Sequence, residues 1–241
     1  MFRQFLMMAC ALCIAVAATA SAQGAKPRTS FTGDLGYVSA TGNTKLTTLS
    51  VGEKLGHTAG LWTLSQQMAF VYGETNAKVS ANQLLVAVRA DFGLDPRFSV
   101  FAGASYERNT FAGFNSRPVA ITGLSWKAIV APEDSMSVDA GGVVTRQSDV
   151  DGTNSSYPST RVALAYRHRF SKAAYFQQLA EHVSNLRMSG SDLVNTETAF
   201  VAPVSAHVGI RLSYAVRYNS RPPVNFGSTD RVSMMGVQLS Y

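Results

Sequence analysis

Large apolar side chains occupy every second position over most of the chain. In the clearest segment, residues 208–218, aliphatic and tyrosine side chains alternate with polar ones that include Arg211 and Arg217. A period of two places alternate side chains on opposite faces of a β-strand. Because a shift of one residue would move the arginines into the apolar face, the pattern also fixes the register of the strand.

Twelve segments of this kind follow one another, separated by polar or Gly/Pro-rich turns. They are residues 31–39, 46–55, 62–72, 84–92, 98–106, 119–130, 136–144, 162–170, 175–186, 195–204, 208–218 and 231–241. Their length of about ten residues suits a tilted strand that crosses a membrane. After Ala22 no stretch reaches the roughly 18 apolar residues of a spanning helix. The sequence therefore predicts an all-β protein, a transmembrane antiparallel up-and-down β-barrel of about 12 strands.

The connections between the segments alternate in length. The short ones are residues 57–61, 93–97, 131–134, 171–173 and 202–205, and the longer ones are residues 73–80, 110–116, 146–157, 187–193 and 219–229. The connection at Thr41-Gly42-Asn43 is the one tight hairpin of the second group. Outer-membrane barrels have short periplasmic turns and longer external loops, whereas the alternative fold, a soluble periplasmic β-sandwich, has no reason to alternate. The pattern predicts a bacterial outer-membrane protein with both termini in the periplasm.

The first residues have the features of an export signal. Arg3 supplies a positive charge, residues 6–18 are apolar, and Ala20-Ser21-Ala22 has the small-x-small form that precedes a cleavage site. We expect cleavage after Ala22, so that residues 1–22 are a signal peptide and residues 23–241 are the barrel domain. Both cysteines of the chain lie in the signal, and the mature protein is expected to contain none.

Composition separates the remaining function classes. The chain has 241 residues, 46% of them hydrophobic and 15% charged, with a formal net charge of +6, which excludes a disordered protein. A positive balance is also typical of nucleic-acid binding, but these arginines are scattered over alternate strand positions in an exported protein. We therefore expect no nucleic-acid partner. The sequence contains no phosphate-binding glycine motif, and we expect neither a cofactor nor a metal.

The polar faces of the strands carry mostly basic side chains. If the face with Arg161 lines the lumen, seven basic residues point inward: Arg89, Lys127, Arg161, Arg167, Arg169, Arg211 and Arg217. Three acidic residues face them: Asp91, Glu107 and Asp139. Arginines along a narrow water-filled lumen favour anions, which predicts a small passive pore or a site for a small anionic solute. The alternative is that these charges pair across strands and fill a small barrel.

The chain ends on an alternating segment whose last residue is aromatic. Val237, Leu239 and Tyr241 place large side chains on one face. Such an ending resembles the signal read by the barrel-assembly machinery of the outer membrane. The resemblance implies that this machinery and the outer-membrane lipids are partners of the protein.

Two stretches at opposite ends of the mature chain resemble one known family. The first is residues 33–38, GDLGYV, followed by residues 41–44, TGNT, and the second is residues 214–223, YAVRYNSRPP, followed by Thr229-Asp230. Both are similar to the YdiY-like domain-of-unknown-function family, known as salt-induced outer-membrane proteins. The resemblance implies a barrel in a Gram-negative outer membrane, porin-like or serving envelope integrity under stress, and it brings no catalytic residues.

One short motif indicates a different function class. Residues 182–185, HVSN, place an imidazole and a hydroxyl two positions apart on one face of a strand, where the base could activate the nucleophile. The motif resembles the His-x-Ser-Asn core of outer-membrane phospholipase A and lipid A deacylases. This resemblance would make His182 the base and Ser184 the nucleophile of a lipid esterase, with Asn195 or Glu197 as the orienting partner. A bulky residue follows the motif where those enzymes have a small one, and we expect no enzymatic activity.

A second short motif is similar to the start of a calcium loop. Asp149, Asp151 and Thr153 have the spacing of its first ligands. Its sixth position is Asn154 rather than glycine, and its twelfth is Thr160 rather than glutamate. We therefore expect a solvated loop that binds no metal.

Overall fold

The computed structural model describes residues 27–40, 46–171, 174–223 and 226–241. It contains twelve strands: β1 (Arg28–Ala40), β2 (Leu46–Ala59), β3 (Trp62–Thr75), β4 (Lys78–Gly93), β5 (Phe98–Asn109), β6 (Phe114–Val130), β7 (Asp134–Asp149), β8 (Asn154–Arg169), β9 (Tyr175–Asn185), β10 (Asp192–Pro203), β11 (Val208–Asn219) and β12 (Thr229–Ser240). Each strand pairs antiparallel with the next, and β1 pairs with β12 to close the barrel. The predicted signal peptide and the predicted hairpin at Thr41-Gly42-Asn43 lie outside the described residues.

The twelve-stranded antiparallel up-and-down barrel predicted from the alternation is thus confirmed. Its two ends differ. At one end, called here the terminal end, the start of β1 meets the end of β12, and the backbones of Phe31 and Tyr241 exchange two hydrogen bonds. The opposite end is called the loop end. Within the part of the chain that the structure describes, no helix has the length and apolarity required to cross a membrane.

Contacts between strands that are not neighbours identify the interior face. Arg217 of β11 donates to Glu107 of β5 at 2.7 Å, and the hydroxyl of Tyr175 in β9 donates to Gln238 in β12 at 2.7 Å. Such contacts can only pass through the inside of the barrel. The strand registers then assign the other side chains to a face, and the outward ones are mainly large and apolar. Exposed examples are Leu35, Val88, Val100, Leu124, Val162, Leu212 and Val237.

Aromatic pairs surround the outside of the barrel near the terminal end. The pairs are Trp62 with Phe92, Phe98 with Trp126, and Phe170 with Phe200, whose ring centroids lie 5.0, 6.3 and 5.8 Å apart. Rings of this kind prefer the boundary between lipid headgroups and hydrocarbon. An apolar exterior edged by aromatic rings has the surface of a membrane barrel, since a protein in water rarely exposes so large an apolar area.

Three of the long loops predicted for the loop end are wrong. The loop predicted at 110–116 is reduced to four residues, because β6 begins at Phe114. Strand β3 continues to Thr75 and β4 begins at Lys78, so a two-residue turn with positive φ at Asn76 and Ala77 replaces the loop predicted at 73–80. Likewise, β7 and β8 extend to within four residues of one another, inside the loop predicted at 146–157. Beyond the apolar band both faces of a strand meet water, so the alternation disappears while the backbone pairing continues.

Two glycines face each other on the interior side of β6 and β7. Gly123 and Gly141 are direct partners in the register. A Cβ atom on Gly123 would lie 2.2 Å from the carbonyl oxygen of Ala140, and one on Gly141 would lie 2.2 Å from that of Thr122. The same strand pair contains two irregularities in register, near Phe114 and Lys127. Glycines and bulges together let the wall coil sharply at this place.

Candidate functional site

A chain of ion pairs runs along the interior from β4 to β9, and we call it the central belt. Arg89 of β4 contacts both Asp91 of its own strand and Asp139 of β7, which lies on the far side of two intervening strands. Arg161 of β8 lies 3.7 Å from Asp139 and also contacts Glu181 of β9. Each charge is held by a partner of opposite sign, so the belt orders its side chains inside the barrel.

A second cluster lies where β1 and β9–β12 meet. Arg211 contacts Glu197 and lies 4.0 Å from Asp34. The amide of Gln238 donates to Asp34 at 2.7 Å and accepts from the hydroxyl of Tyr175. These contacts connect the first strand to the last four through side chains as well as through the backbone seam.

Near the loop end, one buried carboxylate joins opposite walls. Glu107 of β5 accepts hydrogen bonds from Arg117 of β6, from Arg217 at 2.7 Å and from Gln83 at 3.2 Å. Strands β5 and β11 lie on opposite sides of the ring, so Arg217 spans the lumen. We call this contact the loop-end bridge.

The terminal end has a different charge balance. Among the described residues, no carboxylate lies within 4.0 Å of Lys127, Arg167 or Arg169. Arg167 instead donates to the amide oxygen of Gln177 at 3.1 Å, and its guanidinium lies 4.5 Å from the ring centre of Tyr175. The positive charge at this end is therefore not neutralised by a neighbouring carboxylate.

Two of these basic side chains border a half-open cavity of about 380 Å³ at the terminal end, along the wall formed by β6–β9. Lys127 and Arg167 line it, together with Gln177 and the hydroxyls of Ser135 and Ser137. We call it the terminal cavity. All of its described polar side chains can donate hydrogen bonds, and none is acidic.

All seven basic residues expected in the lumen belong to interior positions of their strands. Four of them are held by carboxylates, namely Arg89, Arg161, Arg211 and Arg217. Three acidic residues that were not predicted for the lumen, Asp34, Glu181 and Glu197, also point inward. Two interior cations, Lys54 and Arg117, were likewise not predicted. Most of these five unpredicted residues lie on strands whose apolar alternation is weak, so the sequence does not assign their side chains to a face. Asp34 is an exception, because the outward Leu35 and Tyr37 indicate that it points inward.

The proposed esterase motif lies on the outside of the barrel. His182 pairs with Val162, an outward residue, and its side chain is 54% exposed. Its Nε2 atom lies 3.2 Å from a carboxylate oxygen of Asp192, a partner that the motif did not predict. Among the described residues no hydrogen bond joins His182 to Ser184, although both side chains belong to the same face of β9.

Neither predicted orienting residue reaches this imidazole. Asn195 donates to Glu181 at 2.9 Å, and Glu197 contacts Arg211, both inside the barrel. The register of β10 therefore places them on the face opposite to His182, and the predicted set of His182, Ser184 and Asn195 does not come together.

The loop between β7 and β8 has a local structure of its own. Asp151 accepts a hydrogen bond from the backbone N–H of Thr153 at 2.8 Å, which lowers the pKa of that carboxyl group. Asp149 accepts from the amide of Gln147 at 2.7 Å instead of turning toward Asp151. Within the described ranges, no group of three or more His, Cys, Asp or Glu side chains is placed to hold a metal ion.

The proposed assembly signal lies on the outer surface of the closing strand. Val237, Leu239 and Tyr241 are all exposed. The ring of Tyr241 stacks on His207 with a centroid distance of 4.6 Å. These side chains are accessible from the membrane side of the barrel at its seam.

Comparison with known proteins extends these observations. The uncharacterized protein YdiY of Escherichia coli strain K12 is 25% identical over 218 residues, which are 87% of this chain and 83% of YdiY. An outer-membrane channel from Pseudomonas putida F1 has a similar fold, with a TM-score of 0.53 and 10% identity over 93% of this chain and 100% of that one. The NanC porin gives a TM-score of 0.48 and 15% identity over 88% and 97% of the two chains.

A family model matches nearly the whole barrel. The model, "Protein of unknown function, DUF481", covers residues 33–241, from the first strand to the last residue. The match includes both stretches on which the YdiY-like resemblance was based. The chain therefore belongs to the DUF481 family of YdiY-like proteins.

Proposed function

We propose that this protein is an outer-membrane barrel that lets small anions cross passively through its interior. The apolar exterior and the aromatic pairs at the terminal end support a position in a membrane. Export as a signal-bearing precursor and insertion by the barrel-assembly machinery, guided by the exposed Val237, Leu239 and Tyr241, complete this proposal.

The route for the solute runs along one side of the lumen. The central belt joins β4 to β9, whereas the facing walls of β1–β3 and β12 carry small interior residues such as Gly36, Ser50, Gly52 and Ala69. Small side chains leave room for water, and a cavity of about 120 Å³ lies there beside Lys54 and Arg211. The charged residues on this side, Asp34 and Lys54, border the cavity without filling it. The lumen can therefore be permeable although most of its charges are paired.

The observation that carries the preference for anions is the charge balance of the terminal end. Lys127, Arg167 and Arg169 have no carboxylate partner among the described residues, whereas the other four predicted lumen cations are ion-paired. Uncompensated cations in a narrow water-filled passage attract anions and repel cations. The ion-paired Arg211 and Arg217 contribute less, because their fields are partly cancelled by Glu197 and Glu107.

The test is a recording from single refolded barrels in a planar bilayer under a salt gradient. We expect stable current steps whose reversal potential indicates a preference for anions. Replacing the three cations together, as K127Q/R167Q/R169Q, should shift the reversal potential toward cation selectivity. The exposed outward residue Arg146 provides a control, since R146Q removes one positive charge from the outside.

Two results would contradict the proposal. An unchanged reversal potential in the triple variant would mean that these cations do not line the route. Silence from folded, inserted barrels would mean that the interior is closed. The second result favours the other candidate function, a structural barrel that serves envelope integrity, and the loop-end bridge across the lumen is the observation that supports it.

A further inference from the structure

We infer that the terminal cavity is a binding site for small oxyanions with two or more negative charges, such as a phosphate or a dicarboxylate. This inference names a solute class for the proposed pore, and its biological role rests on that function. The binding itself needs no open lumen, because the cavity lies at the mouth of the barrel.

The two cations of the cavity have unused hydrogen-bond donors. The ammonium group of Lys127 offers three donors, and the guanidinium of Arg167 offers five, of which one is used by the hydrogen bond to Gln177. Charge-assisted hydrogen bonds from such groups to phosphate or carboxylate oxygens are about twice as strong as neutral ones. An anion between the two side chains would meet both charges together.

The neutral lining completes the donor set. Gln177 accepts from Arg167 through its amide oxygen, so its NH₂ group remains to donate into the cavity. Ser135 and Ser137 occupy neighbouring interior positions of β7 and contribute hydroxyls. Hydroxyl and amide donors around two cations suit an oxyanion, whose oxygens can each accept several hydrogen bonds.

The arrangement is held in place before any ligand arrives. Gln177 is buried, and the ring of Tyr175 supports the Arg167 guanidinium at 4.5 Å. The hydroxyl of Tyr175 is in turn fixed by Gln238 at 2.7 Å. A side chain already fixed in position loses little further freedom on binding, which favours affinity.

In the other charged clusters of the interior, the cations are already paired with carboxylates. Arg211 contacts Glu197 and lies near Asp34, so an incoming anion would have to displace a carboxylate. Arg217 and Arg117 share Glu107 in the same way. The terminal cavity has the volume for an ion several times larger than water, which occupies about 30 Å³, and its described lining contains no acid.

Calorimetric titration of the refolded barrel in detergent tests the site without requiring conductance. Inorganic phosphate and succinate are titrated separately at pH 7 and constant ionic strength. We expect saturable one-to-one binding of at least one of them, and the one that binds identifies phosphate or dicarboxylate as the preferred chemistry. The variant K127Q/R167Q should weaken this binding by at least about tenfold, a loss of one decade in the dissociation constant. The control R146Q should bind like the wild type.

A shift in gel mobility on boiling reports whether each variant has folded. If the double variant fails to fold, K127Q alone replaces it and should weaken binding by about threefold or more. Equal affinity in folded variant and wild type, or no saturable binding of either anion, would overturn the inference. Anion binding without current steps would contradict the proposed pore and support the binding site. Current steps without anion binding would support the pore and overturn the binding site.

Discussion

At the scale of single residues, Glu53 departs from the pattern in which outward side chains are apolar and inward side chains are polar. Its carboxylate lies on the outward face of β2, which it shares with Leu49 and Val51. Gln66 of β3, also outward, donates to it at 2.9 Å. A carboxylate that faces hydrocarbon is destabilising unless it has a partner, and the single amide satisfies only part of its hydrogen-bonding capacity.

Replacing the pair by leucines, as E53L/Q66L, is therefore expected to stabilise the barrel. The gain in free energy of unfolding should be about 1–3 kcal/mol, since polar groups on the lipid face cost about this much in the middle of a bilayer. Urea unfolding in lipid vesicles measures it. The control E133L replaces an exposed carboxylate in the turn between β6 and β7, and it should change stability by less than about 0.5 kcal/mol. A less stable double variant would show that Glu53 and Gln66 contact something other than lipid.

For single residues, the sequence predicts on which face of a strand a side chain lies better than it predicts which side chain it contacts. The apolar residues that alternate with Arg89, Arg161 and Arg211 predict that these arginines lie on the inward face, and the structure places them inside. Their carboxylates could not be found in the same way, because Arg89 reaches Asp139 across the barrel interior and not along a strand. Contacts of this kind depend on the curvature of the closed wall, which no linear pattern contains.

At the scale of elements, the coiling of β6 and β7 depends on the facing glycines. We expect G123A to destabilise the barrel by about 1–3 kcal/mol, because the new methyl group would meet the backbone carbonyl of Ala140 and the strands would have to separate. Gly142 is a matched control on the adjacent position, where a Cβ atom would meet nothing within 4 Å. G142A should leave the unfolding midpoint in urea almost unchanged. Equal effects of the two substitutions would show that the close approach does not matter.

The elements also show where sequence patterns stop being informative. Strand existence and order were predictable because the lipid imposes alternation on each crossing. The points at which β4 and β8 begin could not be predicted. Lys78 and Asn154 lie in stretches without apolar alternation, and yet their backbones pair with the neighbouring strand. Hydrogen bonding to the neighbouring strand, and not burial of side chains, keeps these extensions in place.

At the scale of the whole molecule, the two ends of the lumen have opposite arrangements of charge. The loop end collects arginines around one buried carboxylate, Glu107, whereas the terminal end leaves Lys127 and Arg167 without one. An anion that enters from the terminal end therefore meets uncompensated charge first and the loop-end bridge last. This asymmetry makes the bridge the point at which flow through the barrel would be limited.

Shortening the bridge tests this view directly. In R217S the side chain no longer spans the lumen, while Glu107 keeps Arg117 and Gln83 as partners and is not left unpaired. We expect single-channel conductance to rise, with a loss in free energy of unfolding of no more than about 1–2 kcal/mol, because Arg217 is 36% exposed and its charge is partly screened. The outward Arg231 supplies the control R231S, which should leave conductance unchanged. Equal conductance in R217S and wild type would place the bridge outside the route and leave the terminal end as the controlling region.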